Sequence, residues 1–431
     1  MKRKIEEYLL QWKNTDNSKR KPLLVYGARQ VGKTYTLEKF GTENFSNMVY
    51  VNLETNLSLA EFFNADIDPH KIIRYLEAAL DQPIIPGKTL IFLDEIQACE
   101  RALTSLKYFC EQAPEYHIVA AGSLLGVAIN REHSSFPVGK VNSQTMYPMD
   151  FEEYLWARGK TALTREIKDA YVTMEALPEP LHRQAIDLYK EYLVVGGMPG
   201  VVNVFLESGS FRNVPTSQNE IMNNYIADMA KYASNSESVK IRACYNSIPT
   251  QLAKDNKKFQ YKIVQRGGSA ALFGPAIEWL NFAGVVLKCQ RINRAVEPVE
   301  VYVEPSAFKL YMGDVGLLTA KTGIALQTVL GKGDNVFMGA IAENYIAGQL
   351  ASQGKKLYYW ESKSIAEVDF VWQEGRDIVG IEVKSGEHTR SRSLSVFSEA
   401  YSPAYNIRFS LRNFGQTGNL KSVPLYAVFC L

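Results

Sequence analysis

The chain has 431 residues, 46% of them hydrophobic and 22% charged, which is ordinary for a globular protein that buries several cores. Its formal net charge of +2 does not by itself indicate a nucleic-acid-binding protein, although a nearly neutral chain can still carry a local basic patch. The five cysteines are scattered, which predicts a reducing, cytoplasmic compartment. No apolar run reaches about 18 residues and the N-terminus does not resemble a signal peptide, so we expect no membrane span.

The first third of the chain alternates short apolar runs with helical patterns. Residues 21–27, 47–54, 89–95 and 115–123 read as buried strands, and residues 33–41 read as a helix closed by Gly41. Short buried strands separated by helices are typical of a parallel, doubly wound sheet.

A glycine-rich loop, GARQVGKT, joins the first strand to the first helix of this sheet. The pattern G-x-x-x-x-G-K-[ST] in this setting predicts that backbone N–H groups and the helix N-terminus cradle phosphate oxygens. Lys33 would carry charge to the phosphates of ATP, and Thr34 would offer its hydroxyl to Mg²⁺. The predicted nucleotide-binding residues are Gly27, Ala28, Arg29, Gln30, Val31, Gly32, Lys33 and Thr34.

Two acids follow the apolar run LIFL, and a serine ends HIVAAGS. Asp94 is predicted to hold Mg²⁺ through water, and Glu95 to orient the attacking water. Ser123 is predicted to hydrogen-bond the γ-phosphate or that water. The alternatives are a strand that simply ends in solvated acids and a serine that belongs to an ordinary turn.

Together with "AAGSLLG", "YPMDFEEYL", "EYLVVGGMPGVV", "IADMAKYA", "FKLYMGDVGLL" and "EVDF…IEVKSG", these motifs resemble prokaryotic AAA-type P-loop ATPases. In that family an N-terminal ATPase is joined to a C-terminal domain of unknown function similar to PD-(D/E)xK nucleases. The resemblance implies an α/β fold: an ATPase core at 1–149 with a parallel sheet, a helical lid at 150–235, and a restriction-endonuclease-like α/β domain at 331–431.

One position departs from the family pattern. Many relatives carry an arginine finger after a glycine before YPMDFEEYL, whereas this chain has Lys140 there. A lysine cannot form the bidentate fork with phosphate oxygens, and Arg131 is the substitute nearby. The resemblance implies that such a cation acts on a neighbouring subunit, and therefore that the chain forms a homo-oligomer.

The central segment, 236–330, reads as helices followed by a strand and looks like a winged-helix module. Its basic, aromatic-containing stretches 254–262 and 265–268 are the candidate DNA contacts. The alternative is a solvated helix end. Residues 331–339 are the predicted linker into the last domain.

The last domain carries unusually placed charges. Residues 337–354 read as a helix that contains Glu343 and is capped by Gly354, and residues 366–384 read as a hairpin. If Gln373 pairs with Ile378, Asp369 lies opposite Glu382.

A divalent metal would relieve that repulsion. Asp369 and Glu382 would be its ligands, with help from Glu343, while Lys384 would serve phosphodiester hydrolysis. The alternatives are a structural ion cluster and a degenerate fold kept for binding.

These motifs predict an ATP- and Mg²⁺-dependent ATPase that controls a metal-dependent nuclease-like domain acting on DNA. In that prediction Glu95, Glu343, Asp369, Glu382 and Lys384 are catalytic. The alternative is a regulatory NTPase whose C-terminal domains only bind DNA or a protein partner.

Overall fold

The computed structural model describes residues 1–123, 136–331, 335–362, 366–387 and 392–431. Internal contacts divide the chain into two compact units. The first unit comprises residues 2–147 and 282–284, and the second comprises residue 1, residues 148–281 and residues 285–431. No helix within the described ranges is long and apolar enough to cross a membrane.

The first unit is built on a five-stranded parallel sheet with the order β2-β3-β4-β1-β5. Its strands are β1 (Leu23–Tyr26), β2 (Asn47–Asn52), β3 (Thr89–Asp94), β4 (His117–Gly122) and β5 (Asn142–Thr145). Its helices are α1 (Ile5–Lys13), α2 (Lys33–Asn44), α3 (Leu57–Ala65), α4 (Pro69–Leu80) and α5 (Glu100–Gln112). Every residue of β3 and β4 is buried, as expected for central strands of a parallel sheet. The predicted parallel α/β fold is confirmed.

The predicted end of helix α2 at Gly41 is wrong, since the helix continues to Asn44. A Cβ at Gly41 would lie 2.4 Å from the sulfur of Met48. The glycine therefore permits close packing of the helix against β2 rather than ending the helix.

The second unit contains an eight-stranded mixed sheet with the order β12-β13-β11-β10-β9-β8-β6-β7. Its strands are β6 (Val286–Ile292), β7 (Val303–Met312), β8 (Tyr358–Ser362), β9 (Ala366–Glu374), β10 (Asp377–Val383), β11 (Asn406–Ser410), β12 (Gly415–Thr417) and β13 (Leu420–Pro424).

Helices precede this sheet in the sequence and also lie between its strands. They are α6 (Phe151–Ala157), α7 (Thr161–Thr173), α8 (Glu179–Val195), α9 (Pro199–Ser208), α10 (Val214–Tyr232), α11 (Asn235–Leu252), α12 (Tyr261–Val264), α13 (Ala270–Phe282), α14 (Val315–Thr322), α15 (Leu326–Leu330), α16 (Phe337–Ser352) and α17 (Ser393–Tyr401).

Strands β6 and β7 join the central segment to the last one. β6 pairs in parallel with β8, from Gln290–Tyr358 to Ile292–Trp360. The boundary predicted near residue 331 thus passes between strands of one sheet, and residues 332–334 of the predicted linker lie outside the described residues. The winged-helix assignment stays a prediction.

Two sequence-based expectations for the last segment hold. Helix α16 spans Phe337–Ser352, and Gly354 follows it with a φ of +75°. In the β9–β10 hairpin, Gln373 pairs with Ile378 and Phe370 with Ile381. The paired register ends there, and Asp369 and Glu382 are the next residues along the two strands.

A buried carboxylate holds the end of helix α8. Asp314 accepts hydrogen bonds from the backbone N–H of Gly197 at 2.6 Å and of Leu317 at 2.9 Å. Gly196 has a φ of +76°, and a Cβ there would lie 2.3 Å from the Asp314 Oδ1 atom. Gly196 is required because the carboxylate approaches the backbone so closely, whereas a Cβ at Gly197 would lie 2.1 Å from the carbonyl oxygen of Met149.

Asp314 predicts a pH dependence of stability. Burial raises its pKa to about 6, although backbone N–H groups lower it in part. This folded-state pKa exceeds the usual value of 3.8, so the folded protein holds the Asp314 proton more tightly than the unfolded chain does. The stabilisation that this proton gives to the folded state is complete below about pH 4 and is lost as the pH rises through about 6. The difference corresponds to on the order of 3 kcal/mol.

We therefore expect wild type to lose melting temperature relative to Asp314→Asn as the pH rises from about 4 to about 7. Thermal melts across this range measure the effect, with Asp187→Asn, at an exposed position of α8, as the control. Parallel curves for wild type and Asp314→Asn would contradict this assignment.

Candidate functional site

The predicted phosphate loop connects β1 to α2. Gly27 has a φ of +146°, and a Cβ there would lie 2.0 Å from the carbonyl oxygen of Met146. Gly32, at φ +91°, directly precedes the helix. Ala28 and Val31 are buried, whereas Arg29 and Gln30 are exposed. Both glycines adopt left-handed backbone that other residues rarely take, so the loop has the strand–loop–helix setting of a phosphate site.

Lys33 lies inside this loop with only 7% of its surface exposed. Its ammonium donates to the carbonyl oxygens of Gly27 at 2.9 Å and Ala28 at 2.8 Å. Burial lowers the pKa of Lys33 to about 8, while the negative charges of Glu95 and Asp94 raise it. The loop therefore holds the ammonium where it can serve the phosphate groups of a nucleotide.

Asp94, at the end of β3, is 4% exposed and collects several donors. Its Oδ2 atom accepts from the hydroxyl of Thr34 at 2.9 Å and from that of Tyr50 at 3.1 Å. Its Oδ1 atom accepts from the backbone N–H of Glu95 at 3.0 Å. A hydroxyl and a carboxylate in contact are the hard oxygen ligands that Mg²⁺ prefers, so Thr34 and Asp94 fit this ion.

Glu95 is the next residue, and its backbone is left-handed at φ +49°. Its Oε2 atom accepts from Gln97 Nε2 at 2.5 Å and from Ser123 Oγ at 3.4 Å. The structure thus brings the three predicted residues Asp94, Glu95 and Ser123 together at adjacent strand ends. Gln97 and Tyr50 were not predicted, because neither belongs to the sequence pattern of the site.

Lys140 and Arg131 are the two candidate activating cations. Lys140 forms an ion pair with Glu111 of the same chain at 2.8 Å. Arg131 lies outside the described residues. Assembly into a homo-oligomer stays a prediction.

In the second unit, Glu343 lies on the buried face of α16 among cations. Its Oε1 atom accepts from the Lys257 ammonium. Its Oε2 atom accepts from the Tyr311 hydroxyl at 3.2 Å and lies 3.8 Å from the Lys309 ammonium. Burial raises the pKa of Glu343, but Lys257 and Lys309 lower it more, so the net direction is downward.

Asp369, on β9, feels the same charges. Its Oδ2 atom accepts from the backbone N–H of Val383 at 2.8 Å. Burial and the negative charge of Glu343 raise its pKa to about 7, against the opposite effects of Lys309 and Lys257. Glu343 thus acts electrostatically on Asp369, and a joint role of the two carboxylates stays a prediction.

Glu382, the third predicted carboxylate, has its own partners. Its Oε1 atom lies 3.2 Å from the Lys384 ammonium, and its Oε2 atom accepts from Arg408 Nε at 3.0 Å. Lys384 and Glu382 thus share a face, as predicted. However, no group of three or more His, Cys, Asp or Glu side chains in the described parts of the chain is arranged to hold a metal ion. Glu343 and Glu382 are thus paired with internal cations, and metal binding by the predicted carboxylates stays a prediction.

The pairing of Glu343 with Lys257 and Lys309 was not predicted. Lys309 interrupts the apolar run AFKLYM of β7, and that interruption was the available signal, since a lysine on a buried strand needs a partner. Its ammonium pairs with Glu367, and its side chain is fully buried. Lys257 came from a stretch predicted to contact DNA, and the structure instead directs it to Glu343.

Comparison with protein families divides the chain into three matches. Residues 19–155 match a model described as an AAA domain. Residues 186–328 and 338–428 match two models described as domains of unknown function, DUF8612 and DUF4143. The AAA match covers most of the first unit, including the phosphate loop, and supports a P-loop fold there. A comparison with curated protein sequences found no match.

Solved structures similar to this chain include a Walker-type ATPase of Pyrococcus abyssi, with 15% identity, coverage of 74% of this chain and 95% of that one, and a TM-score of 0.45. The ORC2 protein of Aeropyrum pernix, in its ADPNP–ADP complexes, has 12% identity, with coverage of 76% of this chain and 91% of that one and a TM-score of 0.38. DnaA of Aquifex aeolicus, bound to AMPPCP, has 12% identity, with coverage of 64% of this chain and 86% of that one and a TM-score of 0.31. These likenesses are too distant to assign a function to this chain.

Tyr50 generates a prediction for the nucleotide site. Its hydroxyl shares Asp94 Oδ2 with Thr34 and itself accepts from Asn52 Nδ2 at 3.4 Å. We expect Tyr50→Phe to free the carboxylate to rotate and so to raise the Mg²⁺ concentration needed for half-maximal nucleotide binding about two- to tenfold, the value of one hydrogen bond.

Titration of Mg²⁺ at fixed fluorescent nucleotide measures this effect directly. Tyr75→Phe, on α4 of the same unit, is the matched control. Nucleotide affinity without Mg²⁺ should be equal in all three proteins. An unchanged Mg²⁺ midpoint in Tyr50→Phe would show that the hydroxyl does not position Asp94.

Proposed function

We propose that the chain binds and hydrolyses ATP with Mg²⁺ at the phosphate loop. The observation that carries this proposal is the convergence of Lys33, Thr34, Asp94, Glu95 and Ser123 at the strand ends of the parallel sheet. Lys33 would bind phosphate oxygens, while Thr34 and Asp94 would hold Mg²⁺, which supplies charge stabilisation when bound. Glu95, oriented by Gln97 and Ser123, would accept the proton of the attacking water.

Variants at two of these positions separate binding from hydrolysis. Lys33→Ala removes the phosphate-binding charge, so we expect loss of ATP binding. Glu95→Gln leaves the phosphate contacts in place, so we expect retained binding and hydrolysis slower by about two orders of magnitude or more. Equilibrium binding and single-turnover hydrolysis measure the two effects.

Exposed residues of the same unit supply the controls, Lys88→Ala for the first variant and Glu100→Gln for the second. Hydrolysis at the wild-type rate by Glu95→Gln would remove that residue from its proposed role. Undiminished ATP binding by Lys33→Ala would contradict the proposed role of the loop in phosphate binding.

The proposed role of the ATPase is to control the C-terminal part of the same chain, which we propose binds DNA. Three exposed basic residues support DNA binding: Lys254, Lys262 and Arg266 lie on the segments around α12. Closely spaced cations on a surface bind phosphate backbones without sequence preference. A winged-helix arrangement of residues 236–330 is part of this proposal.

A metal-dependent nuclease is the second candidate for the C-terminal part. The Gln373–Ile378 pairing of the hairpin and the electrostatic effect of Glu343 on Asp369 support it. Against it, Glu343 and Glu382 already have internal cations as partners. Binding without cleavage therefore agrees better with the geometry.

One assay distinguishes the two candidates. We expect wild type to bind duplex DNA with an affinity that falls as the salt concentration rises. The Lys254→Ala/Lys262→Ala/Arg266→Ala variant should bind the same DNA more weakly than wild type. The DNA should stay uncleaved in the presence of Mg²⁺ or Mn²⁺. Arg165→Ala, at an exposed position of α7, is the control for general loss of charge. Cleavage that requires metal and disappears in Asp369→Asn would establish the nuclease instead.

A further inference from the structure

Glu343 is held on both of its carboxylate oxygens. One oxygen accepts from the Lys257 ammonium, and the other accepts from the Tyr311 hydroxyl and faces the Lys309 ammonium. The side chain is only 5% exposed. A divalent metal requires direct access to such an oxygen at about 2.0–2.6 Å. At Glu343 that access is taken by nitrogen and hydroxyl donors.

Lys309 is the deepest of these donors. It lies on β7 with no exposed side-chain surface, and it pairs with Glu367 as well as Glu343. The ring centroid of Tyr359 lies 4.9 Å from its ammonium. Removing an ammonium from water is costly unless opposite charges compensate it. The two carboxylates therefore make the burial of Lys309 tolerable, and Lys309 does the same for the buried Glu343.

Lys257 is presented to this site by a segment held at several points. The side chain and backbone of Gln251 and Gln260 close the segment, since Gln251 Nε2 donates to the Gln260 carbonyl and Gln260 N–H donates to Gln251 Oε1, both at 3.0 Å. Phe259 N–H donates to the carbonyl of Phe308 at 2.8 Å, and the two rings stack at 5.5 Å. Lys257 is thus placed by the fold and is not a freely moving surface lysine.

The second predicted metal ligand is neutralised in the same way. Arg408 on β11 pairs in register with Glu382 on β10, and its guanidinium donates to the Glu382 carboxylate at 3.0 Å. The exposed fraction of the Glu382 side chain is 4%. The sheet register therefore places the Arg408 side chain directly beside Glu382.

We propose that internal cations take the place of a divalent metal among the C-terminal carboxylates, with Lys257 and Lys309 at Glu343 and Arg408 at Glu382. Two ammonium groups balance the charges of Glu343 and Glu367, while Asp369 accepts from the backbone N–H of Val383. A divalent cation at Glu343 would meet two positive charges and would have to displace a buried ion pair. The site then fastens the segment bearing Lys257 to helix α16. The inference concerns the C-terminal part of the proposed function and does not depend on ATP hydrolysis.

Metal binding provides the first test. Mn²⁺ is titrated into the full chain and into Glu343→Gln and Asp369→Asn, with bound metal counted by electron paramagnetic resonance. The variants provide the baseline for metal bound elsewhere, including at the nucleotide site. We expect the three proteins to bind the same amount of Mn²⁺. Wild-type binding that is lost in either variant would overturn the proposal and support the nuclease.

A double-mutant cycle provides the second test, because it measures the ion pair itself. We expect Lys257→Met to lower the melting temperature more than Lys254→Met, which removes an exposed lysine from the same segment. Most of that loss should disappear in the Glu343→Gln background, since the partner charge is then absent. The proposal fails if Lys257→Met and Lys254→Met melt alike, or if the loss persists unchanged without Glu343.

ATP hydrolysis by the same variants separates the proposed ATPase activity from the proposed ion pairs of the C-terminal part. The residues of the proposed ATPase site lie in the first unit, so Lys257→Met and Glu343→Gln should retain the wild-type rate. Absence of hydrolysis in wild type would contradict the proposed ATPase while leaving the metal and melting results interpretable.

Discussion

A charge that is removed from water must find its counter-charge within the protein, and both polar sites of this chain depend on that constraint. In the first unit, the buried Lys33 lies within the electrostatic reach of Asp94 and Glu95. In the second unit, the fully buried Lys309 contacts Glu343 and Glu367. Each arrangement collects residues that are far apart in the sequence, because a parallel or mixed sheet brings separate strands side by side.

The two sites differ in how the charges are arranged. In the nucleotide site, Asp94 is held by neutral donors, namely the hydroxyls of Thr34 and Tyr50 and the backbone N–H of Glu95. Lys33 attracts Asp94 electrostatically but donates its hydrogen bonds to Gly27 and Ala28, so the carboxylate oxygens remain open to a metal ion. In the C-terminal site, Glu343 and Glu382 are held by lysine and arginine. A carboxylate that already faces a full positive charge is a poor ligand for a divalent cation.

Those parts of the fold and site that depend on a short, local sequence pattern could be predicted from the sequence. The phosphate loop needs glycine at fixed spacing before a helix, and a hairpin register follows from the length of its turn, so GARQVGKT and the Gln373–Ile378 pair could both be identified. The ion pairs could not be, since Lys257 and Lys309 reach Glu343 from 86 and 34 positions away. Gly41 misled for a related reason: its contact with Met48 is tertiary, whereas the helix-end rule is local.

A crystal structure of the whole chain grown with a non-hydrolysable ATP analogue and Mn²⁺, with anomalous diffraction recorded at the manganese edge, is the most direct test of this account. We expect an anomalous peak beside Thr34 and Asp94, with the Lys257 and Lys309 ammonium groups still against Glu343. An anomalous peak within coordination distance of Glu343, Asp369 or Glu382 would contradict it.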